Sequence, residues 1–249
     1  PTLSAQQLHA METSDPDTSS IRHCVSAGEA LPADVFQRWK EKTGTVILDC
    51  LGSTEALHFF IGNTTTDFSP GTSGRRINRY ELRIVDEAGN EVEQGDIGTL
   101  HVRGGSTAIE YWKYPEKTAM TMLADGWLNT GDMYFLNDEQ YYVNGGRGDD
   151  MLKVGGLWCS PTEIEGCLIE HEKVLEAAVV GRADPDGLIK PEAHIVLNSP
   201  ADAGAELEAD LLEHCKAGIA HYKYPRWFHF IDELPKTVTG KIQRFKLRQ

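Results

Sequence analysis

The sequence predicts a protein of mixed α/β and α+β class, in which a larger first part is followed by a small α+β domain. Three observations predict it. Residues 21–61 have the order strand, helix, strand; residues 70–148 contain a series of short strands; and strands alternate with two helices over 149–249. We therefore expect a domain boundary between residues 148 and 149, with 1–148 as the larger part and 149–249 as the small domain.

The first segment has the order expected of an α/β unit. Residues 21–26 are strand-like and run into a turn at 27–29. Pro32 suits the first turn of the helix that follows, and Gly44 suits its end. Residues 46–48 then predict a short buried strand.

The segment after residue 70 is rich in predicted β-structure. Strands are expected at 80–85 and 97–102, around a turn with the sequence EAGN. A short helix is expected at 115–123. Residues 133–135 and 141–143 flank an Asn-Asp pair, which predicts a hairpin.

The segment after residue 148 predicts a compact α+β domain. Its first helix has a strong start, with Ser160 as the N-cap, Pro161 at the first helical position and Glu163 completing a capping box. A second helix is expected over 205–219. Strands are expected in three places: 174–180, 193–197 and 227–231.

The composition argues against several classes of function. A formal net charge of −14 disfavours nucleic acid or an anionic membrane as the main partner, and no stretch is apolar over the length that spans a bilayer. The five cysteines are scattered without a C-x-x-C pair, which indicates reduced thiols in a cytoplasmic protein and disfavours a zinc site. A nucleotide ligand is compatible with this charge, because a local pocket can override the overall field.

Two motifs in the first part have side chains suited to a nucleotide. The run LGSTE at 51–55 follows a predicted strand; its hydroxyls can bond phosphate oxygens and Glu55 can hold Mg²⁺, although such a run is also a common loop. The run GWLNTGD at 126–132 places Asp132 after a turn. A carboxylate there can accept both hydroxyls of a ribose, or it can form an Asx turn.

Two further motifs combine glycine with charge. The run GRGDDMLKVGG at 146–156 crosses the predicted domain boundary and is either a hinge or a solvated linker. The run PKTVTGKIQR at 235–244 places Lys241 on a glycine-containing loop. Its ammonium group could stabilise a developing anion in nucleotidyl transfer, or the run is a solvated basic tail.

The order of these motifs, together with SAGEALP at 26–32 and SPTEIE at 160–165, resembles the acyl-adenylate-forming superfamily over essentially the whole chain. Three finer stretches resemble benzoate–CoA ligases: 53–58, 108–112 and 222–227. The resemblance implies an ATP-dependent aromatic carboxylate–CoA ligase that works through an acyl-adenylate with ATP, Mg²⁺ and coenzyme A. It also implies that 1–148 is the carboxyl-terminal part of the large AMP-binding domain and that 149–249 is the small mobile domain.

The resemblance further implies roles for individual residues. Gly52, Thr54 and Glu55 form the turn at the α-phosphate, with Thr54 contacting that phosphate and Glu55 holding Mg²⁺. Lys241 bridges the substrate carboxylate and the α-phosphate. The nucleoside is held by six residues: Gly28, Glu29 and Ala30 line the adenine site, Asp49 lies near its exocyclic amine, and Asp132 and Arg147 hold the ribose hydroxyls.

The remaining implied roles concern the acid and the second half-reaction. Asp149 is the hinge about which the small domain rotates, and Gly155 and Gly156 then line the pantetheine tunnel. His58 lies near the aromatic acid.

The chain also departs from the pattern that it resembles. Leu51 occupies the place of an aromatic residue that stacks on adenine, and Glu110 occupies the place of a glycine. A Ser/Thr/Gly-rich phosphate loop, expected upstream, does not occur in these 249 residues. We therefore expect a fragment of a longer enzyme that does not adenylate by itself.

Two other functions remain open at this point. One is an adenylation domain that loads a carrier protein, and the other is a non-catalytic remnant that binds a nucleotide or a partner protein. The identity of the aromatic acid, and whether the protein is a monomer or a homodimer, are also open.

Overall fold

A computed structural model describes residues 1–237 and 240–248, apart from the side chains of residues 2 and 12. The chain divides into two compact units between Gly148 and Asp149. The helices of the described residues are α1 (Thr2–Thr13), α2 (Ala33–Thr43), α3 (Pro115–Thr121), α4 (Pro161–Ile169) and α5 (Ala205–Gly218). None of the described helices combines the length and the apolar character that a bilayer crossing requires.

The strands of the described residues form four sheets, two in each unit. In chain order the strands are β1 (Cys24–Ala27), β2 (Ile47–Gly52), β3 (Phe59–Gly62), β4 (Arg75–Arg76), β5 (Tyr80–Val85), β6 (Gly98–Gly104), β7 (Trp127–Leu136), β8 (Tyr142–Arg147), β9 (Leu152–Val154), β10 (Leu157–Cys159), β11 (Val174–Ala183), β12 (Ile189–Leu197) and β13 (Trp227–Phe230). The mixed fold class predicted from the sequence is confirmed.

The first sheet has the order β1-β2-β3-β4, with β1 and β2 parallel and the other neighbours antiparallel. Helices α1 and α2 pack beside it through Leu8, Phe36 and Trp39, which share a buried cluster with Ile47 of β2. Gly44 ends α2 in the left-handed conformation at φ 71°, as its sequence predicts. Helix α1 was not predicted, because its segment is polar and only a few apolar residues, Leu8 among them, reach the core.

The second sheet is an antiparallel meander in the order β5-β6-β7-β8. Its inner face packs around Phe60, Leu100, Leu128 and Tyr134. Strand β7 is much longer than predicted and contains Asp132, which directly follows Gly131 in the left-handed conformation at φ 72°. Asn129 pairs with His101 of β6 and Asp132 pairs with Arg147 of β8, while the pairing of β7 with β6 is interrupted between them by a register shift.

The second unit contains a three-stranded sheet in the order β11-β12-β13 and a separate hairpin of β9 and β10. Alternate residues of β11 face opposite sides, as in any strand. Ala177 and Val179 lie in the cluster that includes residues of α4 and α5. Ala178 and Val180 lie in a second cluster with Leu234 and Leu247 of the carboxyl-terminal segment, so both faces of this sheet are covered.

Helix α4 begins as the sequence predicts, with one difference. The Ser160 hydroxyl accepts a hydrogen bond from the Glu163 backbone N–H at 3.3 Å, and Pro161 is the first helical residue. The side chain of Glu163 accepts instead from Lys223 Nζ, at 2.6 Å to each carboxylate oxygen. The cap therefore has the serine half of a capping box, while the glutamate joins α4 to the segment before β13.

Removing the Ser160 hydroxyl should destabilise the second unit. We expect Ser160→Ala to lower the free energy of unfolding by about 1 kcal/mol, because one helix N–H loses its partner. Urea unfolding followed by circular dichroism measures the change. Ser199→Ala is the matched control, since Ser199 also precedes a proline-initiated turn but makes no side-chain cap; equal losses in both variants would contradict the assignment.

Candidate functional site

The loop after β2 is shaped by a close approach at Gly52. A Cβ atom on this residue would lie 2.6 Å from the carbonyl oxygen of His58 and 2.8 Å from the ring of Phe59, so only glycine fits. Ser53 then caps a single 3₁₀ turn, its hydroxyl accepting from the Ala56 N–H at 3.2 Å. This geometry leaves Thr54 exposed at the start of the turn.

Glu55 is held in the same turn by a distant part of the first unit. The hydroxyl of Tyr111 donates to Glu55 Oε1 at 2.6 Å, and the Ala108 N–H donates to the Glu55 carbonyl oxygen at 2.7 Å. The hydrogen bond from Tyr111 lowers the pKa of the Glu55 carboxyl below its usual value, so this carboxylate is ionised near neutral pH. A single ionised carboxylate next to bound phosphates is a usual protein contribution to a Mg²⁺ site.

Tyr111 is a site residue to which the sequence assigned no role. It lies 56 positions from Glu55 along the chain, so neither spacing nor local pattern brings the two residues together. The only sequence signal was its place in the stretch 108–112, which resembles benzoate–CoA ligases.

Asp132 and Arg147 form a pair across β7 and β8. Arg147 Nη1 donates to Asp132 Oδ1 at 2.9 Å and to the Thr130 carbonyl oxygen at 3.1 Å. Gly131 permits this approach, since a Cβ atom there would lie 2.9 Å from Arg147 Nη2 and its φ is 72°.

A buried polar pair lies on the two parallel strands of the first sheet. Ser26 of β1 is in register with Asp49 of β2, and Asp49 is only 4% exposed. Within the described part of the chain, Ser26 Oγ and Asp49 Oδ1 have no hydrogen-bond partner. Burial raises the pKa of Asp49 to about 7. Unpartnered buried polar atoms near the carboxyl ends of parallel strands indicate a place for a polar ligand.

The three residues predicted to line an adenine follow directly after β1. Gly28 turns the chain with a φ of 92° and is exposed, while Glu29 and Ala30 are half-buried. The other predicted substrate residue, His58, is exposed in the loop after the 3₁₀ turn, with Nδ1 2.9 Å from the Phe59 carbonyl oxygen.

The second unit contains the remaining predicted site residues. Gly155 and Gly156 form the two-residue turn between β9 and β10, with φ values of 59° and 87° that fit a type I′ hairpin. Asp149 lies in a 3₁₀ turn at the boundary, where its carbonyl oxygen accepts from Arg248 Nη2 at 3.3 Å. The run 146–156 is therefore the end of β8, followed by a 3₁₀ turn and a hairpin.

Lys241 is exposed near the carboxyl terminus, in a hairpin that is closed by an antiparallel bridge between Lys236 and Ile242. The Thr237 N–H donates to the Lys241 carbonyl oxygen at 2.8 Å, and the Lys241 N–H donates to the Thr237 hydroxyl at 3.1 Å. Gly240 turns the chain with a φ of 89°. Two residues of the predicted loop, 238 and 239, lie outside the described residues.

No group of three or more His, Cys, Asp or Glu side chains that could hold a metal ion occurs within residues 1–237 and 240–248.

The turn after β2, the Asp132–Arg147 pair and the buried Asp49 carboxyl, one oxygen of which has no partner among the described residues, are groups of the kind that bind nucleotides. Two family models match this chain: AMP-binding enzyme over residues 1–112 and AMP-binding enzyme C-terminal domain over residues 163–241. The chain belongs to the family of AMP-binding enzymes.

Individual relatives are similar over the whole chain. A benzoate–CoA ligase of Thauera aromatica is 52% identical over 249 residues, which are 100% of this chain and 47% of the relative. A 4-hydroxybenzoate–CoA/benzoate–CoA ligase of Rhodopseudomonas palustris is 45% identical, over 97% of this chain and 46% of the relative.

The chain is also similar to solved structures of CoA ligases. An anthranilate CoA ligase in complex with anthranoyl-AMP superimposes with a TM-score of 0.95 at 48% identity, over 99% of this chain and 48% of that one. A benzoate CoA ligase from Burkholderia xenovorans LB400 gives a TM-score of 0.91 at 44% identity, over 100% of this chain and 50% of that one. The chain spans about half the length of the proteins that it matches.

The raised pKa of Asp49 makes a pH-dependent contribution to stability. The folded state holds the proton up to about pH 7, and the unfolded state loses it near 3.8, so this contribution is complete below 3.8 and disappears as pH rises through 7. We expect Asp49→Asn to be more stable than the native chain at pH 8 by about 1–3 kcal/mol and about equal to it at pH 4.

Urea unfolding at several pH values from 4 to 8 measures this difference. Asp138→Asn serves as the control, because Asp138 is an exposed carboxyl of the β7–β8 hairpin. Parallel stability curves for Asp49→Asn and the native chain would show that Asp49 titrates normally.

Proposed function

We propose that the full-length protein containing this chain is an ATP-dependent aromatic carboxylate–CoA ligase of the benzoate type. The observation that carries the proposal is 52% identity to a benzoate–CoA ligase over every residue of the chain. In the proposed reaction a carboxylate oxygen attacks the α-phosphorus of ATP, and the bond to pyrophosphate breaks. The thiolate of coenzyme A then attacks the acyl carbon, and AMP leaves.

We propose that the nucleoside binds along the first sheet and at the β7–β8 pair. The unpartnered Asp49 Oδ1 suits an acceptor for the exocyclic amine of adenine, beside Gly28, Glu29 and Ala30. Asp132 offers acceptor oxygens for the ribose hydroxyls. Its ion pair with Arg147 at 2.9 Å supports this role by fixing the orientation of the carboxylate.

The loop after β2 is proposed to bind the phosphates. The exposed hydroxyl of Thr54 suits a donor to the α-phosphate, and Gly52 gives the loop its tight path. Glu55 would hold Mg²⁺, which would neutralise part of the charge that develops on the transferred phosphoryl group. The carboxylate is pre-oriented for that task by the hydrogen bond from Tyr111.

The second unit is proposed to serve both half-reactions. Lys241 contributes an ammonium group to the transition state of adenylation, where negative charge gathers on the α-phosphate. Asp149 acts as the hinge of the small domain, 149–249, while residues 1–148 complete the large AMP-binding domain. Gly155 and Gly156 form the wall of the pantetheine path, and a Cβ atom on either would meet nothing within 4 Å, which leaves space for a ligand.

Two further parts of the proposal concern the acid and the compartment. His58, exposed beside the phosphate turn, is proposed to lie near the aromatic acid. All five cysteines are free, which supports a reducing, cytoplasmic location.

Replacing Lys241 should abolish adenylation. We expect Lys241→Ala in the full-length protein to lower acid-dependent ATP–pyrophosphate exchange at least about 100-fold, because one charge that stabilises the transition state is lost. Exchange is measured with benzoate, substituted benzoates and an aliphatic acid. Lys216→Ala, on the exposed face of α5, is the control.

The same assay distinguishes the other functions. Exchange by the native protein without acyl transfer to coenzyme A would favour the carrier-protein function. No exchange with any acid by folded full-length protein would favour a non-catalytic binding protein. We expect the 249-residue chain alone to show no exchange, since it lacks a Ser/Thr/Gly-rich phosphate loop.

Removing the hydroxyl of Tyr111 should weaken the phosphate side of the site. We expect Tyr111→Phe to raise the KM for Mg·ATP and lower kcat, each by about 3–10-fold, because the Glu55 carboxylate loses the donor that orients it. Initial rates measured over a range of Mg²⁺ concentrations test this. Tyr114→Phe is the control in the same segment, since this tyrosine is 67% exposed; unchanged Mg²⁺ dependence in both variants would exclude the role.

A further inference from the structure

The carboxyl-terminal segment, described over residues 234–237 and 240–248, is the part of the second unit that carries Lys241. Its apolar residues Leu234 and Leu247 pack on one face of the three-stranded sheet, with Ile242 partly buried beside them. These contacts fix the ends of the segment, while Lys241 itself is exposed. The position of its ammonium group therefore depends on what holds the hairpin on either side.

On the amino-terminal side the hairpin is held by an ion pair. Lys236 Nζ donates to both carboxylate oxygens of Glu176 on β11, at 2.6 and 2.7 Å. Both side chains are largely buried, with 23% and 17% exposure. An ion pair shielded from water in this way is screened less by salt than a surface pair.

On the carboxyl-terminal side the hairpin is held by a buried carboxylate on α4. Arg244 Nη2 donates to the two oxygens of Glu165 at 3.0 and 2.8 Å, and Arg244 Nε donates to Oε1 at 3.2 Å. Glu165 Oε1 also accepts from the Val179 N–H of β11 at 2.8 Å. One carboxylate therefore joins a helix, a strand and the lysine-bearing segment.

The same arginine extends the connection to the start of the second unit. Arg244 Nη1 lies 3.7 Å from Asp150 Oδ2, and Arg248 pairs with the other oxygen of Asp150. Asp150 directly follows Asp149, the proposed hinge. Charged contacts thus run without interruption from residue 150 to the segment that carries Lys241.

A simpler explanation is that these ion pairs only keep the end of the chain folded. Two observations favour a more specific role. The pairs lie five residues before and three residues after Lys241, on either side of its hairpin. The Arg244–Glu165 pair is also buried and bidentate, with 15% and 9% exposure, a geometry that restrains direction as well as distance.

We propose that Arg244 and Glu165 are positioning residues for Lys241. They anchor the lysine hairpin to α4 and β11, so that Lys241 moves with the second unit as one rigid body and meets the reacting phosphate without a separate ordering step. The inference rests on the proposed function of Lys241. An arginine is required because a lysine at 244 would keep the charge but lose the two-point contact with Glu165.

The test compares one double variant with a matched control. Glu165→Gln/Arg244→Gln removes both charges of the buried pair, so that neither charge remains buried without its partner. The amide oxygen introduced at position 165 can still accept a hydrogen bond from the Val179 N–H. Glu213→Gln/Lys216→Gln makes an equivalent charge-neutralising change at an exposed pair on α5. Circular dichroism verifies that both variants are folded.

The first measurement is the rate of tryptic cleavage after Lys241 in the 249-residue chain, followed by mass spectrometry. We expect cleavage to increase about tenfold in the Glu165/Arg244 variant, since cleavage reports local opening, and to stay unchanged in the control. Equal cleavage in the native chain and both variants would overturn the anchoring.

The second measurement separates the two half-reactions of the full-length protein. We expect the Glu165/Arg244 variant to lower kcat of benzoate-dependent ATP–pyrophosphate exchange about tenfold, with thioester formation from benzoyl-AMP and coenzyme A changed less than about twofold. Arg244→Lys should show an intermediate loss. Adding Lys241→Ala to the double variant should lower exchange no further than Lys241→Ala alone, because the anchor acts through that lysine.

Equal losses in both half-reactions, or full additivity with Lys241→Ala, would overturn the positioning role and leave only a contribution to folding. If the native full-length protein shows no exchange with any acid, the proposed function fails. The cleavage rates alone then confirm or overturn the anchoring of the hairpin.

Discussion

Ion pairing between carboxylates and cations is the interaction on which both candidate regions depend. The chain has a formal net charge of −14, so any positive charge that faces a phosphate must be placed locally. Asp132 orients Arg147 in the first unit, and Glu165 and Glu176 hold the segment that carries Lys241 in the second. In each pair the carboxylate fixes the position of a cationic side chain through directed hydrogen bonds. Such bonds restrain the side chain more strongly than the long-range attraction between opposite charges.

The geometry of the site also depends on two glycines at which other parts of the chain come very close to the backbone. Gly52 lets the turn after β2 pass the His58 carbonyl, and Gly131 lets the Arg147 guanidinium reach the strand that carries Asp132. The absence of a side chain at these two glycines therefore allows the turn that contains Glu55 and the pairing of Arg147 with Asp132. The hydrogen bond from Tyr111 to Glu55 adds a contact between segments that are far apart in the chain.

Much of the secondary structure was predictable because it has local causes. The Ser160–Pro161 helix start, the left-handed Gly44 and the strand Tyr80–Val85 follow from capping, turn and β-propensity rules that act over a few residues. Helix α1 and strand β3 were missed, and β7 was predicted too short. Their formation depends on packing and on pairing with other strands, which a local pattern does not contain.

The sequence by itself determined the mixed fold class, the order of the motifs and membership of the AMP-binding enzyme family, because these depend on residue identity and spacing along the chain. Only the tertiary structure decided that Tyr111 bonds Glu55, that Asp49 is buried with an unpartnered oxygen, and that Arg244 reaches Glu165. These contacts join residues separated by up to 79 positions, or depend on complete burial. Contacts between distant residues and complete burial both arise only when the sheets and helices pack together, and no stretch of neighbouring residues encodes them.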